Sequence, residues 1–401
     1  MIRSRSSLSS RLYPLVFCGS LAWGAPAFAQ ELGEGLQAHG FISQSVAHTS
    51  DNNVGGDSDD GMAWELREMG ANLSWRPSPD WLISGQALAR WAGASDEGEL
   101  RLDYGFVDRT LFADGDTQIG LRLGKVKNPY GFFNTTRDVA HTRPGILLPQ
   151  AVYIDELRNT FLAAPGMSLN GNSFFEESSL EWIFNVVRPE VDADSITRYM
   201  VTKFPGHFEG RPSWLAQALW DHDGGHWRMG LTLGNVKMKY QPNPPDLGPG
   251  DIALHTGVLS LEHNTESWTL TGEYMLTRQI RDGFGVPALD KDTTVEAGYL
   301  QGIWRFAPRW QTYMRYEALY LDRSDRNGKD FWRLSGFTVP TIQRFSRDKV
   351  IGIRYDPNTA WALSAEYHDV DGTAWLPRID NPPQQMQRRW DMLLLQAAWR
   401  F

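Results

Sequence analysis

The sequence predicts an all-β fold, a transmembrane antiparallel β-barrel of about 16 strands with short periplasmic turns and long extracellular loops. Three observations predict it. Segments of roughly ten residues alternate between apolar and polar side chains, the signature of a strand between two environments. The connections between them are alternately short and long. Finally, the chain stops at Phe401 in the middle of an alternating segment, LLLQAAWRF, where a frayed polar tail is the usual ending.

The N-terminal residues come first. MIRSRSSLSSR is basic and carries no acid, the apolar stretch LVFCGSLAWG follows, and Ala27-Phe28-Ala29 precedes Gln30. This order predicts a secretory signal peptide over 1–29 and a mature barrel over 30–401. The apolar stretch is too short for a membrane anchor. Cys18, the single cysteine, falls inside the leader, so the mature chain has no disulfide to lean on. Removing Arg3, Arg5 and Arg11 leaves 36 basic against 48 acidic residues, a net charge of −12. That balance argues against nucleic acid as a partner.

The chain holds 17 Trp, 13 Tyr and 19 Phe, yet its mean hydropathy is −0.41. After Gln30 no run of apolar residues is long enough for a membrane helix. An exported, aromatic-rich chain of this kind is a soluble periplasmic β-protein or an outer-membrane barrel, and the strand faces decide between them.

Trp81, Ile83, Gly85, Ala87, Ala89 and Trp91 share one face against Ser84, Gln86 and Arg90. Leu100, Leu102, Tyr104 and Phe106 oppose Arg101, Asp103 and Gly105. Trp268, Leu270, Gly272, Tyr274 and Leu276 oppose Thr269, Thr271 and Glu273. Trp310, Thr312, Met314, Tyr316, Ala318 and Tyr320 oppose Gln311, Arg315 and Glu317. Trp361, Leu363, Ala365 and Tyr367 oppose Ser364, Glu366 and His368. Trp and Tyr bracket the apolar stripes, as girdles at two membrane interfaces require. The other faces carry charge, which a dry sandwich core rejects unless it is paired. Apolar outside and charged inside is a membrane barrel.

Strand centres fall near residues 41, 70, 86, 105, 121, 170, 183, 217, 232, 258, 272, 300, 315, 350, 365 and 396. Two stretches break the alternation: at Gly234-Asn235 either a bulge is expected or the strand leaves the bilayer, and 301–306 reads out of phase with the residues before it. Tight turns such as 113–116, 222–225, 264–267 and 307–309 alternate with long polar connections, which places both termini at the periplasmic rim. The last strand is then expected to pair with the first, around 36–47, leaving no open edge.

The leader, the strand rhythm and LLLQAAWRF together resemble Gram-negative outer-membrane porins, with general and phosphate-selective porins as architectural relatives. The segment LGKVKNPYGFFNTTRDVAHTRPGILLPQAVY, residues 123–153, is similar to one in porin-like proteins of proteobacteria that leads from a barrel strand into a folded-in loop. The resemblance implies that Leu393, Leu395, Trp399 and Phe401 form an assembly signal read by the barrel-assembly machinery. It also implies a setting in outer-membrane lipid, with a homotrimer as a common state. Substrates do not transfer with an architecture.

A pore selects solutes by its diameter and by rings of charged side chains. The connection 130–165 is the longest and is partly apolar, so it is expected to fold into the lumen and constrict it. It brings Arg137, Asp138 and Arg143, besides Asp155 and Arg158. Arg90, Arg101, Asp103, Arg109, Arg122, Lys125 and Lys127 would line the wall it faces, with Glu273, Arg315, Glu317, Arg354 and Glu366 elsewhere around the pore. Basic residues opposite Glu273, Glu317 and Glu366 would set a transverse field favouring anionic or dipolar solutes. Strict alternation puts Lys125 and Lys127 toward lipid, at a cost of about 2–4 kcal/mol at mid-bilayer. A bulge near Gly124, or a position above the hydrocarbon, is therefore expected.

The function this predicts is passive diffusion of small hydrophilic solutes through a water-filled channel, with no cofactor. The first strand starts too near the cleavage site to leave room for a plug domain. Two other classes remain: a structural or adhesin-like barrel, which conductance would separate, and an outer-membrane enzyme. The histidines are scattered and neither GxSxG nor HExxH occurs, so no catalytic group is assigned. His222 and His226 flank the turn DHDGGH and read as a solvated hairpin, not a metal site.

Overall fold

A computed structural model describes residues 30–191, 206–243, 248–287 and 289–401, so the expected leader over 1–29 lies outside the described residues. A short β1 (Gln30–Gly33) precedes β2 (Leu36–Thr49), β3 (Ala63–Ser78), β4 (Trp81–Ala92), β5 (Arg101–Ala113) and β6 (Thr117–Lys127). The next strands are β7 (Ala163–Phe174), β8 (Ser178–Val187), β9 (Gly206–His222), β10 (Trp227–Pro242), β11 (Asp251–Asn264) and β12 (Trp268–Asp282). The last are β13 (Asp292–Ala307), β14 (Trp310–Tyr320), β15 (Phe345–Tyr355), β16 (Trp361–Gly372) and β17 (Arg389–Arg400). Each expected strand centre lies inside one of β2–β17.

Every one of these strands pairs antiparallel with its sequence neighbour, and β17 closes the circle on β2, from Met392 opposite Thr49 to Arg400 opposite Phe41. Closure leaves no row of unpaired backbone groups facing lipid. β1 folds back on β2 from Ala38 to Leu36, just beyond the point where β17 stops. The seam is sealed down to the rim.

The outward faces confirm the aromatic girdle. Trp268 stacks on Trp304 at 5.5 Å, Phe306 follows at 5.6 Å, Trp310 at 6.4 Å and Tyr355 at 4.5 Å beyond it. All five flank short turns, so the ladder runs along the short-turn rim of the barrel. Leu393, Leu395 and Phe401 are exposed, while Met392 and Leu394 are buried inside. The terminal strand therefore keeps the expected faces.

Departures from strict alternation have two causes. The first is a real bulge: the β4–β5 register slips between Gln86 and Ala87, which face Tyr104 and Leu102. Asp103 is the extra residue, and it turns the rest of β5 by one face. Tyr104 and Phe106, expected toward lipid, instead point inward, where Lys127 stands 4.9 Å above the Tyr104 ring and Arg122 5.1 Å above that of Phe106. The second cause is an apolar patch on the inner face. β13 runs without a slip against β12, and Val295, Ala297, Tyr299 and Ile303 are all buried inward. Against β12 the phase expected to break at 301–306 runs on, and a slip occurs only on the β14 side, between Trp304 and Ala307. Likewise β10 and β11 stay in register through Gly234-Asn235, and Val236, Met238 and Tyr240 simply occupy the inner face. A slip occurs only on the β9 side, between Asn235 and Lys237.

The chain end is fitted to the barrel. Phe401 N–H donates to Gly40 O at 3.0 Å, and Gly40 N–H to Phe401 O at 3.3 Å. A Cβ on Gly40 would lie 2.3 Å from the Phe401 ring, so the ring needs this glycine as its seat. Deleting Phe401, or Gly40→Val, is expected to lower the yield of heat-modifiable barrel on unheated gels. Wild-type yield from both variants would contradict this.

Candidate functional site

The connection from β6 to β7 leaves and re-enters the wall through a pinched neck. Asn128 N–H donates to Leu162 O at 2.9 Å, Asn128 Nδ2 to Phe161 O at 3.1 Å and Asn134 Nδ2 to Asn128 O at 3.0 Å. Beyond the neck the chain folds into the lumen. Ile146, Leu148, Ala151, Val152 and Tyr153 form one buried cluster with Val258, Met275, Val295, Leu319, Val370 and Leu394 of the inner wall. The apolar run that had no reason to exist in an external loop thus meets the apolar patch that disturbed the strand pattern.

Three wall carboxylates hold it there. Glu273 of β12 accepts from Phe132 N–H at 2.9 Å and from the hydroxyls of Tyr153, Ser260 and Tyr299. Glu317 of β14 accepts from Ala151 N–H at 2.8 Å. Glu366 of β16 accepts from Ile146 and Leu147 N–H at 2.8 and 3.1 Å. Arg315 lies between two of these acids, 3.4 Å from Glu317 and 3.5 Å from Glu366, and donates to Leu147 O. Gly145 abuts the anchor: a Cβ there would stand 2.7 Å from Glu366 Oε1.

On the other side of the lumen the loop is held by charge. Arg158 binds Glu68 at 2.5 Å and also Asp138. Arg143 binds Glu68, and Arg90 contacts Glu68 at 3.4 Å and pairs with Asp155. Lys127 reaches Asp138 at 2.7 Å and Asp103 at 3.5 Å, while Arg137 meets Asp155 at 3.2 Å. Arg101 joins through Asp96 at 2.8 Å. Burial by itself would raise the Asp138 carboxyl, but Lys127 and Arg158 hold it well below the usual carboxylate range. Asp155 is held low in the same way by Arg90 and Arg137.

The structure therefore brings Arg90, Arg101, Asp103, Lys127, Arg137, Asp138 and Arg143 into one ionic cluster, and Glu273, Arg315, Glu317 and Glu366 under the loop. Arg354 stands apart, bonded to Asp356 at 2.8 Å and directed at the carbonyls of His141 and Arg143. Arg122 pairs with Asp108 at 2.6 Å.

Besides Arg354 and Arg122, two more expected pore residues stand outside the cluster. Arg109 is carried to the outer face by the Asp103 bulge and lies over the Trp81 ring at 5.3 Å, in the rim girdle. Lys125 reaches Glu190, in the connection after β8. The expected bulge at Gly124 is absent, since both neighbouring registers run through it unbroken. Gly124 instead adopts φ +140°, a conformation few other residues tolerate. Arg122 and Lys127 both reach inner-face groups although they are five positions apart, so the strand turns between them. Nor do Glu273, Glu317 and Glu366 face an aperture across from the basic wall, because the loop covers them.

Glu68 and Arg158 are central; Arg158 is among the loop charges expected in the lumen, whereas Glu68 is not among the expected pore residues. Alternation along β3 puts Glu68 with Asn72 and Ser74 and would have found it. The pairing of Arg158 with it needed the loop's path. The DHDGGH histidines are engaged separately, His226 with Asp223 at 2.8 Å and His222 stacked on Trp220.

No protein-family model matches the chain, and no curated protein matches it. Solved structures do share its fold. The outer membrane channel DcaP of Acinetobacter baumannii superposes with a TM-score of 0.56 at 12% identity, over 94% of this chain and 100% of that one. An anion-selective porin from Comamonas acidovorans gives 0.56 at 11% identity, over 91% and 99%. OmpF of Salmonella typhi, in complex with daunomycin, gives 0.56 at 11%, over 92% and 98%. The chain has the porin-like β-barrel fold.

Removing one partner of a buried ion cluster strands the others at a cost of about 3–5 kcal/mol. Arg158→Leu is therefore expected to free the loop while leaving the barrel closed. Hydrogen exchange would then show lost protection across 130–162 alone, and unchanged protection there would contradict the assignment.

Proposed function

We propose that the protein is an outer-membrane channel through which small hydrophilic solutes diffuse passively. One observation carries this: a closed barrel holds its longest connection among the described residues inside the lumen, anchored to opposite walls, which narrows the passage. The solved channels that share the fold support the reading. Transport needs no catalytic chemistry from the chain.

The charges that meet the remaining water are mainly cationic along β5 and β6. Arg101 is 27% exposed against 5% for its partner Asp96, and Arg122 is 33% exposed against 13% for Asp108. In each pair the acid lies behind and the guanidinium faces out. Solutes passing this wall meet positive charge, so weak anion preference follows from exposure and not from a field between two bare walls.

A second reading has one specific observation in its favour. The loop touches β3, β9, β12, β14 and β16, positions spread around the whole circumference. A barrel so filled could serve as a structural or adhesive element. Flux separates the two: proteoliposomes should swell in small sugars and amino acids, and absence of flux would support the structural reading. In planar bilayers, Arg101→Gln with Arg122→Gln should shift the reversal potential toward cations. Arg109→Gln, on the outer face, should leave it unchanged. An unaltered potential in the double variant would refute the selectivity argument.

A further inference from the structure

The docked loop does not fill the lumen on the side of the long connections. A cavity of about 130 Å³ remains between it and the inner faces of β9–β13. Its walls are mainly apolar: Leu157 and Phe161 of the loop face Leu215, Val236, Leu254 and Val295 of the barrel, while Asn134 and Arg137 border it from the loop, bonded to Asn128 O and to Tyr153 O and Asp155. In a channel whose interior is expected to be wet, that lining is out of place.

The polar groups bordering it are already spent on the protein. Thr256 and Thr277 share a hydrogen bond at 3.0 Å, and Thr232 Oγ1 accepts from Gln217 Nε2 at 2.9 Å. The Tyr130 hydroxyl points to Met275 Sδ, and that of Tyr153 to Glu273. Water entering would find few partners. A mainly apolar chamber of about this size has room for a benzene ring. Gln279 is different: half-buried in the lining, it makes no side-chain hydrogen bond among the described residues. It sits near the end of β12 that leads into a long connection, so it offers one amide at the outer side of the chamber.

We propose that this chamber binds small amphipathic solutes bearing a benzene-sized apolar group and a neutral polar head. The ring packs between Phe161, Leu254 and Val295, and the head bonds to the Gln279 amide. Because the chamber precedes the loop on the extracellular side, it would hold such solutes ahead of the narrowest passage. The inference rests on the channel reading for its biological sense, but the site itself is a property of the fold.

The test uses the full mature barrel in nanodiscs and 4-fluorobenzyl alcohol as probe, with binding read by fluorine NMR. Saturable binding is expected, displaced by benzyl alcohol and not by 1-propanol, which has no ring. Val295→Trp and Leu254→Trp fill the chamber from two different strands and should each abolish the saturable signal, with heat-modifiable mobility reporting that the barrel is folded. Gln279→Leu should weaken the alcohol while leaving fluorobenzene binding intact. Saturable binding that survives both tryptophan variants, or none in the folded wild type, would overturn the proposal. Absence of solute flux with binding retained would instead remove the channel reading and leave the site standing.

Discussion

The irregular backbone inside the lumen is the constraint on which the rest depends. At membrane depth, non-helical chain is tolerated only where it is buried in protein or lines a cavity, since each unbonded amide is costly. Pro144 and Pro149 keep 144–151 out of helix and sheet, so its N–H groups have no regular partners. Glu317 and Glu366 accept three of them, and Glu273 secures the start of the loop at Phe132. The acids meet a hydrogen-bonding deficit that the loop creates. The apolar run then covers wall residues that would otherwise face water.

This coupling explains which features were legible in the sequence. Outward faces such as Trp81–Trp91 and Trp268–Leu276 meet lipid, and lipid imposes one rule along every strand. The inner face has two environments, wet wall and loop-covered wall, and no single rule describes it. Val295, Ala297 and Tyr299 are apolar and inward because the loop lies on them, and read against a lipid rule they simulate a phase break. The Asp103 bulge was hidden for another reason. An inserted residue leaves no mark when both flanking patterns stay amphipathic, and Arg109 was assigned to the wrong face as a result.

The charged residues show the same division. Charge at Glu273, Glu317 and Glu366 correctly implied an inner face, but alternation cannot tell an acid exposed to a pore from one consumed by backbone amides. Arg90, Lys127, Arg137, Asp138 and Arg143 were identified individually. Their convergence on Glu68 and Arg158 depends on contacts between residues as far apart as 68 and 158, which local periodicity does not encode. The net result is a lumen divided by the loop into a cationic β5–β6 side and an apolar chamber beside β9–β13.

Three wall glutamates hold the loop across the lumen. Single-channel conductance of the purified barrel tests it most directly, comparing wild type with a variant in which Glu273, Glu317 and Glu366 are all alanine. A larger or flickering conductance step is expected in the variant, as the loop leaves the wall and the passage widens. An identical, steady step in both proteins would contradict it.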